Sequence, residues 1–141
     1  VTRADLVGRY VGHTAPLTNQ VIQSALGGVL FIDEAYSLYR GGEDSFGLEA
    51  IDTLVKGIED HRDDLVVILA GYSKEMALFL TANSGLASRF PNQIEFPDYT
   101  GAELLAITQS IAKSKGYRLD DACAMPLVTF LNFSGSIAHW I

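Results

Sequence analysis

Hydrophobic and polar positions along the chain follow two periods in alternation, which predicts helices and strands in turn. Apolar side chains recur at helical spacing over residues 14–26, 48–60 and 100–115. Two shorter runs, residues 29–32 and 65–70, are apolar throughout. Continuous apolar runs of this length suit central strands of a parallel sheet that is buried on both faces. The alternation of helices and strands therefore predicts an α/β fold.

Capping residues and turn formers indicate where these elements begin and end. Thr14 is expected to cap the first helix through its hydroxyl. Thr100 and Glu103 stand three residues apart, which is the spacing of a capping box. The polar segment 83–85 predicts a loop, and residues 93–96 are predicted to form a third strand.

Residues 97–99 are the expected boundary between two domains, because strands precede them and only helices follow. The prediction is a partial α/β core at residues 1–97 and the start of a helical lid at residues 98–141. The core is expected to be a three-layer parallel-sheet domain that is incomplete on its N-terminal side. Residues 134–141 have no clear period and predict no element.

Composition narrows the class of protein without naming a function. Hydrophobic residues make up 48% and charged residues 19%, which is the balance of a globular protein. The net charge of -7 argues against a nucleic-acid partner, which usually needs a clustered positive face. No apolar run approaches the ~18–20 residues of a membrane span, so no membrane partner is expected.

The cysteine count bears on the cellular compartment, and the first residues bear on whether the chain is part of a longer protein. Cys123 is the single cysteine, which excludes an internal disulfide framework, and it is expected to be a small core residue. A reducing compartment, the cytoplasm or an organelle stroma, is the natural interpretation. The chain opens at Val1 with no initiator methionine and no signal sequence, which predicts that it is part of a longer protein.

The strongest chemical signal is an apolar run, residues 29–32, that ends in Asp33 and Glu34. This is the Walker B pattern, and a strand would hold both carboxylates at the carboxyl edge of a sheet, where open α/β folds bind ligands. Asp33 is the expected ligand of Mg²⁺, directly or through water. Glu34 is expected to orient and polarise the water that attacks the γ-phosphate of ATP. The alternative is a buried strand that merely ends in acids.

Two loop segments add to this signal. In residues 85–90, Arg89 lies in a Ser-Arg-Phe sequence of the kind that delivers an arginine finger to a neighbouring subunit's ATP; the alternative is a solvated surface arginine. Tyr10, Val11 and Gly12 resemble the first pore loop of AAA+ unfoldases, where aromatic side chains grip an extended polypeptide. The alternative for Tyr10 is a core or turn tyrosine.

The order of these segments, over residues 2–99, resembles the CbbX and stage V sporulation protein K branch of the AAA+ ATPases. The resemblance covers about two thirds of the chain, and the motifs are specific in combination. The residues that carry it are Asp5-Leu6-Val7-Gly8, Tyr10-Val11-Gly12-His13-Thr14, Gly27-Gly28-Val29-Leu30-Phe31-Ile32-Asp33-Glu34-Ala35-Tyr36-Ser37-Leu38, Leu69-Ala70-Gly71-Tyr72 and Ser88-Arg89-Phe90-Pro91.

The resemblance implies a ring-forming ATPase, usually hexameric, that uses ATP and Mg²⁺ to remodel protein substrates. CbbX proteins act on rubisco, but no segment of this sequence indicates a contact with rubisco. The family usually has a polar sensor at the end of the second strand, a position held here by Gly71-Tyr72-Ser73. Either Tyr72 or Ser73 could serve through its hydroxyl.

The family pattern is incomplete in this sequence. No GxxxxGK[ST] phosphate loop occurs, and residues 8–14 fail as one because His13 stands where lysine is needed. The loop is expected upstream of Val1, so this piece alone is expected to bind ATP poorly and to aggregate through exposed apolar surface. A non-catalytic interaction domain stays open as the alternative function, and a helicase is a weaker third.

Overall fold

The structure, a computed structural model, describes residues 1–133. Residues 134–141, for which the sequence predicts no element, lie outside the described residues. The described residues divide into two compact units, Val1–Gln93 and a second that begins at Ile94. The domain boundary at residues 97–99 stays a prediction.

The first unit is an α/β arrangement built on a two-stranded parallel sheet, so the predicted fold class is confirmed. The strand β1 (Gly28–Ile32) pairs with β2 (Leu65–Leu69) such that Val29 lies beside Val66 and Phe31 beside Ile68. The elements of this unit are α1 (Arg3–Leu6), α2 (Thr14–Ser24), β1 (Gly28–Ile32), a 3₁₀ helix (Ala35–Leu38), α3 (Ser45–Asp60), β2 (Leu65–Leu69), α4 (Ser73–Phe79) and α5 (Ser84–Arg89).

Only one face of the sheet is buried, so the expectation of burial on both faces was wrong. Leu30 and Ile32 of β1 point into a core with side chains of α2 and α3. The opposite face of the sheet is exposed to solvent. Its four side chains are Val29 (57% exposed), Phe31 (48%), Val66 (56%) and Ile68 (45%).

Two element ends differ from the sequence predictions. Thr14 is the first residue of α2 rather than its cap, and its hydroxyl instead accepts a hydrogen bond from the Gly8 N–H at 3.1 Å. Residues 84–89 form the helix α5, although a loop was expected at residues 83–85. Asn83 caps that helix by accepting from the Gly85 N–H at 2.6 Å, and the apolar side chain of Leu86 is fully buried beneath it.

The second unit is helical over its described part, with α6 (Gly101–Ser114), a 3₁₀ helix (Asp121–Cys123) and α7 (Ala124–Phe133). The predicted capping box is confirmed, because Thr100 and Glu103 exchange hydrogen bonds at the start of α6. Residues 93–96 form no strand, since their backbone makes no ladder bonds to a neighbour. Cys123 is exposed, so its expected place in a core was wrong.

Within residues 1–133 every helix is too short or too polar to cross a lipid bilayer.

Candidate functional site

Asp33 and Glu34, here called the acidic turn, form a two-residue projection at the carboxyl end of β1. Backbone hydrogen bonds fix both sides of it to a single residue at the end of β2. The Ala70 N–H donates to the Ile32 carbonyl at 2.9 Å, and the Ala35 N–H donates to the Ala70 carbonyl at 3.0 Å. The sheet therefore presents the two carboxylates at its carboxyl edge, where open parallel sheets bind ligands.

Asp33 has the chemistry that a magnesium ion requires. Its side chain is exposed, and Oδ1 accepts a hydrogen bond from the Glu34 N–H at 2.9 Å. Oδ2 makes no hydrogen bond within residues 1–133. No three His, Cys, Asp or Glu side chains of that part of the chain converge on one point. Mg²⁺ commonly binds through one or two carboxylates together with water and phosphate oxygens, so a lone Asp33 fits it.

Glu34 has a left-handed backbone, with φ 47° and ψ 46°. It is the single non-glycine residue with positive φ among residues 1–133. This conformation costs an L-residue roughly 1–2 kcal/mol, so it persists only where the surroundings impose it. The bonds from Ala70 to either side of the acidic turn are that constraint. Strain of this kind concentrates at functional sites.

A pair of tyrosine rings lies beside the acidic turn. Tyr36, in the 3₁₀ helix, stacks on Tyr72, the residue that precedes α4, with ring centroids 5.7 Å apart and planes at 23°. Burial raises the pKa of Tyr36 above its usual range, and the nearby Glu34 carboxylate raises it further. The sequence indicated Tyr72 as a candidate sensor, and it is held near Glu34 through Tyr36.

A shallow cleft of about 400 Å³ opens next to Glu34. It is lined by Thr2, Arg3, Ala4, Val7, Glu34, Ser37 and Arg40. Arg40 is exposed at its edge, and Arg3 lies deeper. Glu34 is the residue of the acidic turn that lines this cleft.

Arg3 and Asp44 form a charged clamp behind the acidic turn, which the sequence did not indicate. The guanidinium of Arg3 donates to both oxygens of Asp44, at 2.7 and 3.0 Å, and to the carbonyls of Ser37 and Leu38, at 2.9 and 3.2 Å. Asp44 also caps α3, accepting from the Gly47 N–H at 3.1 Å. Hydrogen bonding from Arg3 holds the pKa of Asp44 below its usual range.

Only one of the two residues of the clamp, Asp44, could have been predicted from the sequence. An aspartate directly before the helical pattern is a cap signal, which could have indicated Asp44. Its partner Arg3 stands 41 residues away in the chain, so no local pattern could have paired the two. The clamp joins α1 and α3 to the segment that follows Glu34.

Arg89, the predicted arginine finger, is the last residue of α5 and makes its contacts on α3 and α5. Nη2 lies 3.1 Å from Oε2 of Glu59, and Nη1 donates to the Gly85 carbonyl at 3.2 Å. Nε is buried without a hydrogen bond. An unpaired buried donor is unfavourable, so this arrangement leaves the guanidinium only partly satisfied. The contacts of Arg89 do not include the acidic turn.

The segment with Tyr10, Val11 and Gly12 is an exposed loop between α1 and α2. Tyr10 is 67% exposed and Val11 is 87% exposed, so neither is a core residue. The Tyr10 ring packs edge-on against His13 at 5.5 Å. Gly12 has φ 79°, a conformation that favours glycine, and a Cβ at Gly8 would lie 2.7 Å from His13 Cβ. The two glycines therefore allow the loop to turn tightly and close at its base.

The sequence-predicted site residues thus fall into three places on the first unit. Asp33, Glu34 and Tyr72 lie together at the carboxyl edge of the sheet. Arg89 lies at the end of α5, and Tyr10 lies on its own exposed loop. A parallel α/β core with an acidic pair at the carboxyl end of a strand is the arrangement of P-loop nucleotide hydrolases.

Residues 1–98 match the family described as ATPase family associated with various cellular activities (AAA). Because the match covers more than half of the 141 residues, the chain belongs to the AAA family. Its relatives place it with the CbbX and stage V sporulation protein K branch, as the motifs predicted.

Three relatives illustrate this similarity. Stage V sporulation protein K of Bacillus subtilis is 54% identical over 129 residues, which are 92% of this chain and 40% of that protein. The chloroplastic ribulose bisphosphate carboxylase/oxygenase activase of Cyanidioschyzon merolae is 55% identical over 84% of this chain and 41% of its own length. Protein CbbX of Cereibacter sphaeroides is 46% identical over 99% of this chain and 46% of its own length. The chain therefore spans less than half the length of these relatives.

Proposed function

We propose that this chain supplies the hydrolytic part of an AAA+ ATPase subunit, which assembles into a ring, a hexamer, and remodels protein substrates. The observation that carries the proposal is the acidic turn. Two carboxylates project from the carboxyl edge of a parallel sheet, and both sides of the projection are bonded to Ala70. Family membership supports the same chemistry.

Each residue of the acidic turn has a separate part in hydrolysis. Glu34 orients the attacking water and accepts its proton. Asp33 holds Mg²⁺ through the carboxylate oxygen that makes no internal hydrogen bond. When bound, Mg²⁺ neutralises charge that develops on the phosphate oxygens. Tyr72, whose ring stacks on that of Tyr36, is proposed to report the state of the nucleotide.

Arg89 is proposed to act on the ATP of the neighbouring subunit. A permanently charged, planar guanidinium can bind several phosphoryl oxygens at once. Such an arginine finger raises the rate of hydrolysis roughly 10³–10⁵-fold. The partial hydrogen bonding of Arg89 and its 27% exposed side chain are compatible with release from Glu59. Release requires the loss of one partly exposed ion pair and of the hydrogen bonds from Nη1 to the Gly85 carbonyl and the Ser88 hydroxyl.

The loop with Tyr10 and Val11 is proposed to contact the substrate. In a ring, one such loop from each subunit would line the pore with aromatic and aliphatic side chains. Tyr10 and Val11 are exposed enough to grip an extended polypeptide without favouring one sequence. The proposed substrate is therefore a protein, whose identity is left open.

A non-catalytic interaction domain is the second candidate, and loss of the phosphate-binding loop from the natural gene would favour it. Residues 1–141 contain no GxxxxGK[ST] loop, so the element that normally grips the β- and γ-phosphates is not in this chain. In this alternative the ring surface and the Tyr10 loop bind partner proteins, and the acidic turn takes no part in ATP hydrolysis.

One comparison decides between the two candidates. The gene product is purified with whatever sequence flanks residues 1–141, and ATP hydrolysis is measured for the wild type, Glu34→Gln and Glu43→Gln. Glu43 is an exposed glutamate of the loop before α3 and is the matched control. We expect Glu34→Gln to bind ATP but to lose about 10²-fold or more in rate, with Glu43→Gln unchanged. Absence of hydrolysis in the wild type, with partner binding retained, would favour the interaction domain.

A further inference from the structure

We infer that Asp52 and Asn83 are positioning residues for Arg89, because together they fix the start of the short helix α5 that carries it. The inference rests on the proposed function, in which Arg89 acts on the ATP of a neighbouring subunit, and deepens it. Neither Asp52 nor Asn83 is assigned a catalytic part, since both act on hydrolysis only through α5.

The side-chain amide of Asn83 bonds to two elements at once. Its Oδ1 accepts from the Gly85 N–H at 2.6 Å and so caps α5. Its Nδ2 donates to Oδ1 of Asp52, on α3, at 2.6 Å. Because an amide carries its acceptor and its donors on separate atoms, this one side chain both begins α5 and attaches that beginning to α3. A hydrogen bond to a carboxylate is also among the stronger ones.

The helix α5 lies along one face of α3, and the bond to Asp52 is the first contact along it. A Cβ at Gly85 would lie 2.9 Å from Cγ1 of Val55, so the backbone of α5 packs directly on α3 there. The guanidinium of Arg89 lies 3.1 Å from the carboxylate of Glu59. Asp52, Val55 and Glu59 follow one another at spacings of three and four residues, which places them on the same face of α3.

The position of Arg89 depends on these contacts because α5 is short. Its six residues, Ser84–Arg89, span only about 9 Å, and a helix of this length is not stable by itself in water. Leu86 anchors the middle of α5 in the core, where it is fully buried. The bond from Asn83 fixes the direction in which the helix runs from that anchor. A change in this direction would displace the guanidinium, and a displacement of about 1 Å can lower a rate roughly 10²-fold.

The two ends of α5 are expected to behave differently when Arg89 acts. The ion pair of Arg89 with Glu59 must break before the guanidinium can reach the ATP of a neighbouring subunit. The bond between Asn83 and Asp52 can remain, because neither residue takes part in that exchange. The helix would then stay attached to α3 at its start while its last side chain turns outward. Asp52 and Glu59, seven residues apart on α3, therefore affect hydrolysis in opposite directions.

The test uses the full gene product and exchanges the two partners of the hydrogen bond. Asn83→Asp keeps a good helix cap but removes the donor and places a second carboxylate beside Asp52. We expect kcat for ATP hydrolysis to fall at least about fivefold, with KM for ATP within about twofold of the wild type. Adding Asp52→Asn restores one donor and one acceptor in reversed order. The double variant is therefore expected to recover to within about twofold of the wild type.

Mixed rings separate a positioning role from a general loss of stability. An Asn83→Asp subunit retains Glu34, and a Glu34→Gln neighbour retains an intact α5. Mixing these two variants is therefore expected to give more hydrolysis than the sum of the two measured separately. In the Arg89→Ala background, Asn83→Asp is expected to cause no further loss, because it acts only through Arg89. Asp60→Asn, at an exposed position at the end of α3, is the matched control and should have wild-type activity.

The outcomes distinguish this inference from the proposed function. If the wild type hydrolyses no ATP, or if Arg89→Ala is fully active, the proposed function of Arg89 fails. If Arg89→Ala is inactive while Asn83→Asp matches the wild type, the positioning role alone is overturned. A double variant no more active than Asn83→Asp would also overturn it, since the bond to Asp52 would then not matter. Mixed rings that form but give no more than the summed activity would overturn it as well.

Discussion

The guanidinium of Arg89 lies 3.1 Å from Oε2 of Glu59, on the helix α3 of the same chain. If Arg89 serves a neighbouring subunit, this ion pair competes with that role. Both side chains are partly exposed, 27% for Arg89 and 55% for Glu59, so the pair is worth less than about 1 kcal/mol. The ion pair with Glu59 is therefore only a weak obstacle to the proposed role of Arg89.

The first prediction concerns the release of Arg89. Glu59→Gln removes the competing charge, and we expect hydrolysis by the assembled protein to rise by up to about fivefold. The unfolding free energy should change by less than about 1 kcal/mol. Glu49→Gln, on the same helix, is the control and should change neither. A loss of activity in Glu59→Gln would instead show that Glu59 holds Arg89 in its working position.

The second prediction concerns the clamp between Arg3 and Asp44. The two side chains are only 18% and 15% exposed and share two hydrogen bonds, so removing one partner leaves a charge with poor solvation. We expect Arg3→Ala to lower the unfolding free energy by roughly 2–3 kcal/mol, measured by urea denaturation. Arg9→Ala, at an exposed position, should be near neutral. A similarly small change of unfolding free energy in both variants would contradict a stabilising role for the clamp.

The third prediction is the pH dependence of the same clamp. The pKa of Asp44 is lowered in the folded chain, chiefly by the hydrogen bond from Arg3. The associated stability is present above the unfolded pKa of about 4 and is lost as the pH falls through the folded value. Asp44→Asn should therefore flatten the acid limb of unfolding free energy against pH. Part of the limb should remain, because the pKa values of Asp5 and Glu103 are also lowered.

The fourth prediction tests the strain at Glu34. Glycine adopts positive φ freely and alanine does not, so Glu34→Gly should be more stable than Glu34→Ala by about 1 kcal/mol. Both variants should lack hydrolysis, because both lose the carboxylate. The stabilities of the two variants are compared by thermal denaturation under the same solution conditions. Equal stability, or a more stable alanine variant, would show that the left-handed turn does not exist in solution.

The fifth prediction concerns the open face of the sheet, formed by Val29, Phe31, Val66 and Ile68. Contiguous exposed apolar surface promotes self-association, so the 141-residue chain alone should scatter light at micromolar concentration. Val66→Thr combined with Ile68→Thr should reduce the scattering while keeping strand propensity. Val11→Thr alters a lone exposed valine and should have no effect. Equal solubility of all three proteins would argue against association through this face.

The sequence predicted those features that depend on neighbouring residues. The apolar runs gave β1 and β2 to within a residue, and the capping box at Thr100 and Glu103 was confirmed. Asp33 and Glu34 could be placed at a sheet edge because they directly follow an apolar strand. Family membership was also predictable, because the motifs occur in a specific order.

Other features depend on residues far apart in the chain and could not be predicted. The pairing of Arg3 with Asp44 spans 41 residues. The stack of Tyr36 on Tyr72 depends on which strand lies beside β1. The strand expected at residues 93–96 failed because an apolar pattern cannot show whether a partner strand is available. The helix α5 was missed because Asn83 and Gly85 suit both a loop and a helix cap.

The central claim is that Glu34 of one subunit and Arg89 of the next act on the same ATP. The most direct measurement mixes two variants of the full gene product, Glu34→Gln and Arg89→Ala, each of which should be inactive alone. In a mixed ring, Glu34 of an Arg89→Ala subunit can face Arg89 of a Glu34→Gln neighbour, so the account predicts that mixing restores ATP hydrolysis. Mixed rings that form and remain inactive would contradict it.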